Sequence, residues 1–425
     1  MTSNSTDQST TRESVETVVV VGMGFIGLPL ALLLAENGKH VVGVDIDENV
    51  VKAINDRTLN FDEAEFESLL ASDDVTENLD VRTEPVEGDA FIISVPTPLA
   101  NPTKSPDLSY VRSALESIIP HLTDGDLINI ESTLPPQTCE EMVVPRLEQA
   151  GFEPGDDVSL AHSPERILPG NVFEEIRTND RVIGGIDETS IRRATEIYRP
   201  FVEGTIYTTD LLSAELCKLI ENTFRDVNIA LANEFALIGE RLGTNMNEVI
   251  ELANNHPRVD VLTPGIGVGG HCLPVDPWFL DEINPEYSNL ITSARRINDK
   301  MPTVAARKVR RSLAEYVDPK IVALGAAYKP GTYDCRNSSA IQIVDSLRSD
   351  GYRVNHYDRH VEGMTYETLE SVLAEHRPDV VLQLVPHPKS VDELDVLEPW
   401  FVENDVKLLQ FGGTDPLDPE SRIQL

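Results

Sequence analysis

Four segments of the chain gather residue types that can do covalent or acid–base chemistry. Pro264 to Leu280, PGIGVGGHCLPVDPWFL, surrounds Cys272 with Gly265, Gly267, Gly269 and Gly270 and follows it with prolines. Such a run is an irregular loop, in which glycine leaves room for a ligand and exposes amide donors. A thiol there acts as a nucleophile if it is accessible and its pKa is lowered; a cysteine in a glycine loop can equally be inert. His271 could assist it or only line the pocket. A second group, Glu215, Lys218, Asn222 and Arg225, recurs every three or four residues and so shares one helix face. Lys and Asn in a polar seam can stabilise an oxyanion; the plainer reading is a solvated face. The third segment, YKPGTYDCR from Tyr328 to Arg336, sets Lys329 and Arg336 around a glycine turn after an expected strand. It reads either as a local anion site or as a βα turn with surface charges.

The fourth segment is GMGFIG, Gly22 to Gly27, which fits G-x-G-x-x-G. Alone that pattern is weak. Here it follows a run of four valines and opens a helical pattern, where glycines permit a tight turn and a pyrophosphate meets the helix N-terminus. Gly22, Gly24, Phe25, Ile26 and Gly27 are the candidate contacts. Asp45 ends the next expected strand, about 20 residues on, where an acid takes the adenosine ribose hydroxyls. A carboxylate there repels the extra phosphate of NADP, so NAD is the expected cofactor. A tight turn without a ligand is the alternative. Thr97 in VPTP and Thr133 in ESTL fall at the carboxyl ends of expected strands, where cofactors sit, but ordinary turn and cap residues fall there too.

These groups need a frame to hold them. Thr17 to Val21 reads as a buried strand, Leu28 to Glu36 as a helix and Val41 to Asp45 as a second strand; Ala90 to Val95, Leu127 to Glu131 and Arg181 to Gly184 are further strands. Strands separated by helices form βαβ units and a parallel sheet. Leu211 to Leu242 then runs without proline, and without glycine until Gly239, with apolar residues at helical spacing from Leu212 to Leu231. That is one long helix, a spine or dimer interface. More helix follows to about Lys300. A second alternation starts at Ile321, with strands at Ile321 to Gly325, Arg353 to Tyr357, Val380 to Val385 and Val406 to Phe411, and a helix at Ser339 to Asp350. The expected fold class is α/β: two Rossmann-like parallel-sheet domains joined by a long central helix and a helical middle domain. The division is a disordered tail at 1–13, a first sheet domain at 14–208, a helical centre at 209–300 and a second sheet domain at 301–425.

With 40% apolar and 25% charged residues the chain is an ordinary globular protein. Its net charge of −37 repels nucleic acid and anionic membrane, so neither is an expected partner, and any phosphate site must be built locally. Ten of the 35 basic residues are lysine, leaving 25 arginines. Acid excess with scarce lysine fits the high-salt cytoplasm of a halophilic archaeon; an acidic mesophilic protein is the alternative. Cys139, Cys217, Cys272 and Cys335 match no zinc or disulfide spacing, so no metal is expected and a reducing cytoplasm is. Val18 to Ala35 is uncharged and about as long as a membrane span. Its three glycines and Pro29, and the lack of a basic segment before it, fit strand, turn and buried helix better.

Taken together, GMGFIG, VPTP, ESTLPPQT, SPERILPGN, ELCKLIENTFRDVNIALANE, GIGVGGHCLPVDPWFL and YKPGTYDCR resemble, in order, the UDP-glucose/GDP-mannose dehydrogenase family, from about Val18 to Gly412. The resemblance implies that the first domain binds NAD, the centre dimerises and the last domain binds a UDP-sugar. It implies a four-electron oxidation of the sugar's primary alcohol to a carboxylate, serving polysaccharide biosynthesis. Cys272 would be the nucleophile, forming a thiohemiacetal and then a thioester. Lys218 and Asn222 match oxyanion-stabilising residues, and Glu165 in SPER a carboxylate linked to thioester hydrolysis. Asp276 matches an acid that with Lys218 organises a water or general base, and Thr133 a residue beside nicotinamide or that water. Arg166, Arg258 and Gly269 fall at substrate-binding positions, Arg258 reaching across a homodimer interface. Lys329 is similar to a diphosphate-binding lysine and Arg336 to a residue near the NAD phosphates. The Gly-Gly-His-Cys form, Pro274 to Trp278 and PDLSYV look like the N-acetylhexosamine branch. UDP-N-acetylmannosamine is therefore favoured, UDP-N-acetylglucosamine next and UDP-glucose third. Gln137 stands where the family usually has Gly, Gly331 resembles the glucose branch, and Asn337 and Ser339 replace the more usual Glu and Pro.

Two other readings compete. A two-electron hydroxyacid dehydrogenase would need neither Cys272 nor a second nucleotide domain. A nucleotide-sugar binding protein without catalysis would not require Cys272, Lys218, Asn222 and Glu165 together.

Overall fold

Val18 to Val21 carry branched side chains on alternating sides, so a strand built from them must be covered on both faces. The computed structural model describes residues 15–58, 64–100, 102–167 and 170–411, and the tail expected at 1–13 lies outside them. The chain divides into two units, Met1–Ile220 and Glu221–Leu425. In the first, β1 (Thr17–Val21), β2 (His40–Val44), β3 (Leu79–Arg82), β4 (Ala90–Ile93), β5 (Leu127–Ile130), β6 (Ser159–His162), β7 (Arg181–Gly185) and β8 (Ile206–Asp210) form one sheet. Its order is β3-β2-β1-β4-β5-β6-β7-β8, which begins as the dinucleotide-binding order 3-2-1-4-5-6.

Val18 and Val20 pack on one side with Leu28 to Ala35 of helix Gly27–Glu36, while Val19 and Val21 pack on the other with Leu115 and Ile118. The apparent membrane-length run is thus a central strand, a turn and a buried helix. The sheet is not wholly parallel. β7 meets β6 antiparallel over only two residue pairs, and β8 pairs parallel with β7. The last two strands form a reversed edge, a common addition to a parallel sheet.

Helix Leu211–Leu242 has the bounds its apolar spacing predicts, and the division between the units falls within it. In the second unit, helices Met246–Asn254, Asp276–Ile283 and Asn289–Ser312 precede the second sheet. The last of them continues through Pro302, past the end near Lys300 that the sequence reading gives it. Met301, Val304, Ala305 and Val309 bury its inner face, and that burial outweighs the hydrogen bond proline removes. β9 (Lys320–Leu324), β10 (Arg353–Tyr357), β11 (Val380–Gln383) and β12 (Lys407–Gln410) then lie in the order β10-β9-β11-β12, all parallel. Strand order reverses between β9 and β11, and between β1 and β4 in the first sheet; the carboxyl ends beside such points are where open α/β sheets bind ligands. Among the described residues no helix is long and apolar enough to cross a membrane.

Candidate active site

The GMGFIG segment turns directly after β1, beside the β1–β4 reversal. Gly22 has φ +97° and its amide donates to the Val44 carbonyl at 2.8 Å. A Cβ on Gly22 would lie 2.2 Å from the Ser94 carbonyl oxygen, and one on Gly27 would lie 1.8 Å from that of Gly22. Both positions require glycine for packing. Gly24 is exposed, with open space where its Cβ would be. That division of labour is what a pyrophosphate needs: two glycines close the turn and the middle one lets the ligand reach the backbone. Phe25 and Ile26 are half-buried. Asp45 is half-buried at the end of β2, and its carboxylate accepts the amides of Met23 at 3.0 Å and Asp47 at 2.9 Å. The residues present fit NAD. Thr97 and Thr133 are half-buried after β4 and β5, and the Ser132 hydroxyl joins the two segments by accepting from the Val95 amide at 2.8 Å.

Glu165 follows β6 and is buried. One of its oxygens accepts the Ile167 amide and the other lies 3.7 Å from Nζ of Lys218, also buried. Arg166 donates to the Asp180 carbonyl at 2.6 Å. Glu215, on the same helix face as Lys218, takes the amides of Gln137 and Cys139 at 2.6 and 2.9 Å. It holds a turn through both carboxylate oxygens. The Cys139 thiol beside it is buried and pushed well up, first by burial and then by Glu215. Burial also raises Cys335, so both are poor thiolates.

In the second unit the Asn222 side-chain amide donates to Asp276 at 2.5 Å, and both residues are buried. Cys272 is half-buried in the turn that enters helix Asp276–Ile283, and its carbonyl accepts from the Val275 and Asp276 amides, each at 2.9 Å. The glycines before it serve packing more than ligand access. A Cβ on Gly269 would sit 2.8 Å from the Asn337 carbonyl and from Cβ of Tyr328, and one on Gly267 would sit 2.5 Å from Oγ of Ser339. Only Gly265 of the four has open space. The loop is stitched to the 328–339 turn. The Gly270 amide donates to the Arg336 carbonyl at 2.8 Å, and the Asn337 side chain donates to the Gly270 carbonyl at 2.8 Å.

His271 lies 3.5 Å from Asp334, which also takes Arg336 through two nitrogens. Burial opposes the Asp334 charge, but bonds from His271 and Arg336 outweigh it and hold the carboxyl well below the usual range. The Tyr328 hydroxyl is pushed up to about 12, first by burial and then by the nearby Asp334 carboxylate. Arg336 is also within electrostatic reach of Cys272. Lys329 is half-buried with Nζ 6.0 Å from the Tyr328 ring centre, and Arg258 is exposed on the loop after helix Met246–Asn254.

The family's NAD binding domain model matches residues 16–202, its central domain 212–300 and its UDP binding domain 322–402, all three from the UDP-glucose/GDP-mannose dehydrogenase family. A UDP-N-acetyl-D-mannosamine dehydrogenase of Methanocaldococcus jannaschii is 43% identical over 383 residues, 89% of this chain and 88% of that protein. This chain belongs to the UDP-glucose/GDP-mannose dehydrogenase family. The structure of a UDP-D-ManNAc dehydrogenase from Pyrococcus horikoshii matches with TM-score 0.87 and 40% identity over 96% of this chain and 98% of that one. An NDP-N-acetyl-D-galactosaminuronic acid dehydrogenase of Ralstonia nicotianae is 40% identical over 87% of this chain and 90% of its own. As a family member the chain is an NAD-dependent nucleotide-sugar dehydrogenase.

The family frame makes two departures from expectation informative. Glu215, Lys218 and Asn222 form a buried polar seam where a solvated face is the plainer reading. Large apolar side chains are exposed on that helix, Ile220 at 56% and Phe224 at 66%, with Leu231 and Ile238, beside the exposed Arg225 and Glu234. Sequence reasoning also missed Ile46, 86% exposed directly after Asp45, an apolar surface that an adenine ring can cover. An aliphatic residue immediately after Asp45, where a polar loop residue is expected, is the signal that could have found it.

Proposed function

We propose that this chain oxidises the C6 alcohol of UDP-N-acetylmannosamine to the carboxylate, with addition of one water and loss of two hydrides and three protons. The observation that carries the chemistry is the buried Asn222–Asp276 pair placed one helical turn from the half-buried Cys272. Asn222 has two amide protons; giving one to Asp276 fixes the direction of the other, which then meets an oxyanion. Lys218 stands one turn before Asn222 on the same helix and adds positive charge. Cys272 Sγ adds to the aldehyde carbon to give a thiohemiacetal, and its place ahead of a helix N-terminus favours the thiolate. After the second hydride leaves, the thioester is cleaved by water, with Glu165 and Asp276 as the carboxylates able to take its proton. The acid departs and the thiol returns. NAD, held by Gly22, Gly24, Phe25, Ile26, Gly27, Asp45, Thr97 and Thr133, supplies the hydride acceptor for each oxidation.

The sugar is assigned on the likeness to relatives named for N-acetylmannosamine. The relative named for N-acetylgalactosaminuronate, at 40% identity, favours testing other N-acetylhexosamines. The exposed Ile220, Phe224, Leu231 and Ile238 support a homodimer through the long helix, with Arg258 reaching the partner's substrate. The −37 charge supports a halophilic cytoplasm. The test is NADH release with a panel of UDP- and GDP-sugars in molar potassium chloride. Two NADH per UDP-N-acetylmannosamine is expected, and one would indicate a two-electron enzyme. Activity should rise with salt; highest stability in dilute buffer would refute the halophile assignment.

A further inference from the structure

The turn that carries Lys329 is pinned on both sides of that lysine. On the amino-terminal side, the amides of Ala326 and Ala327 donate to one oxygen of Asp358 at 2.6 and 3.0 Å. On the carboxyl-terminal side, the Gly331 amide donates to Nδ1 of His387 at 3.2 Å. The two anchors are themselves joined, because Nε2 of His387 lies 3.0 Å from that same Asp358 oxygen. Since Nδ1 accepts from a backbone N–H, the ring proton is assigned from these partners to Nε2, which donates to Asp358. The two side chains are 1% and 0% exposed.

The parts come from three connections at the carboxyl end of one sheet. Gly331 lies after β9, Asp358 directly after β10, and His387 after β11, where it precedes helix Pro388–Val396. The other Asp358 oxygen takes the His360 amide at 2.8 Å. Burial opposes this charge, but the His387 bond and the amide bonds outweigh it and keep the carboxyl well below its usual range. Gly331 itself is at φ +72°. That conformation is easy for glycine, but nothing intrinsic to glycine selects it. The bond to His387 fixes the direction of its amide. Without an acceptor there, the turn loses its carboxyl-side anchor and the lysine two residues earlier is no longer held in one place.

We propose that His387 and Asp358 are positioning residues for nucleotide binding, holding the Lys329 turn in the shape that presents the lysine to a diphosphate. This rests on the assignment of Lys329 as the diphosphate contact. Neither side chain touches the nucleotide; both act through the turn.

Two substitutions separate this from a general role in folding. In His387→Asn, Oδ1 keeps an acceptor near the Nδ1 position but the donor to Asp358 is lost. In His387→Gln, Nε2 keeps a donor toward Asp358 but the acceptor for Gly331 is lost. UDP binding to the full-length enzyme is measured by calorimetry, alongside KM for UDP-sugar, KM for NAD, kcat and melting temperature. His387→Gln should weaken UDP and raise KM for UDP-sugar about tenfold, since the Gly331 amide loses its acceptor and the turn loses its carboxyl-side anchor. Its kcat and KM for NAD should stay within about twofold, and His387→Asn should recover most of the UDP affinity. The proposal is overturned if His387→Gln binds UDP normally. It is also overturned if both variants weaken UDP equally, or if only His387→Asn does, because then the Gly331 contact is not what matters. Lys329→Ala is the control for the underlying assignment. If it leaves UDP affinity intact, the diphosphate contact itself is wrong; if it weakens UDP and His387→Gln does not, only the anchor fails.

Discussion

The two glycine-rich loops look alike in sequence and are used differently. In GMGFIG, Gly22 and Gly27 sit where a Cβ would strike backbone, and Gly24 faces open space. In GIGVGGHC, Gly267, Gly269 and Gly270 all press against other parts of their own unit, Ser339, Asn337 and Tyr328 among them. One loop leaves its middle glycine exposed; in the other the glycines let the Cys272 loop lie flat on the 328–339 turn. Glycine in a sequence marks a close approach, and only the fold tells what approaches.

The largest test of that difference is Cys272→Ser. If the second loop exists to present a nucleophile, acid formation should fall by about 10³-fold or more, while NAD and UDP-sugar binding remain. Retained turnover, followed as two NADH per sugar, would remove the nucleophile assignment and leave both loops as binding elements. The next test compares glycines. Gly269→Ala should lower stability by about 2 kcal/mol, because backbone on the far side cannot yield, with KM for NAD unchanged. Gly24→Ala should melt within about 1 °C of the parent and raise KM for NAD about tenfold, since only the ligand's approach is blocked. Thermal melts and NAD titrations on both variants read this directly. A Gly24→Ala protein with normal NAD affinity would erase the contrast between the loops.

What could be read in advance follows from the range of the forces involved. The valine run, the glycine turn and Asp45 are local, and the fold uses them as spacing predicts: Met23 meets Asp45 across the β1–β2 connection. The long helix was legible end to end because its apolar period is unbroken. Which face it buries was not, because Glu215 and Asn222 find partners at Cys139 and Asp276, distant in sequence. The helix expected to end near Lys300 runs on to Ser312, because buried Val304 and Val309 continue it through Pro302. The pairing of His387 with Asp358 had no signature at all, since a histidine and an aspartate 29 positions apart carry no period.

A third position completes the glycine comparison by lacking one. Gln137, where the family usually has glycine, adopts φ +69°. Its amide is fixed there by Glu215 at 2.6 Å, so the turn cannot relax to a more comfortable backbone. A non-glycine residue in this region is strained by about 1–2 kcal/mol. Glycine relieves that strain but also loosens the unfolded chain by about 0.4–1 kcal/mol. Gln137→Gly should therefore stabilise the protein by only about 0.5 kcal/mol, the small remainder of those two terms. Denaturant melts at fixed salt would resolve it. A loss of stability would mean that the Gln137 side chain supplies packing that offsets the strain, and that this turn, unlike the two loops, has adapted to do without glycine.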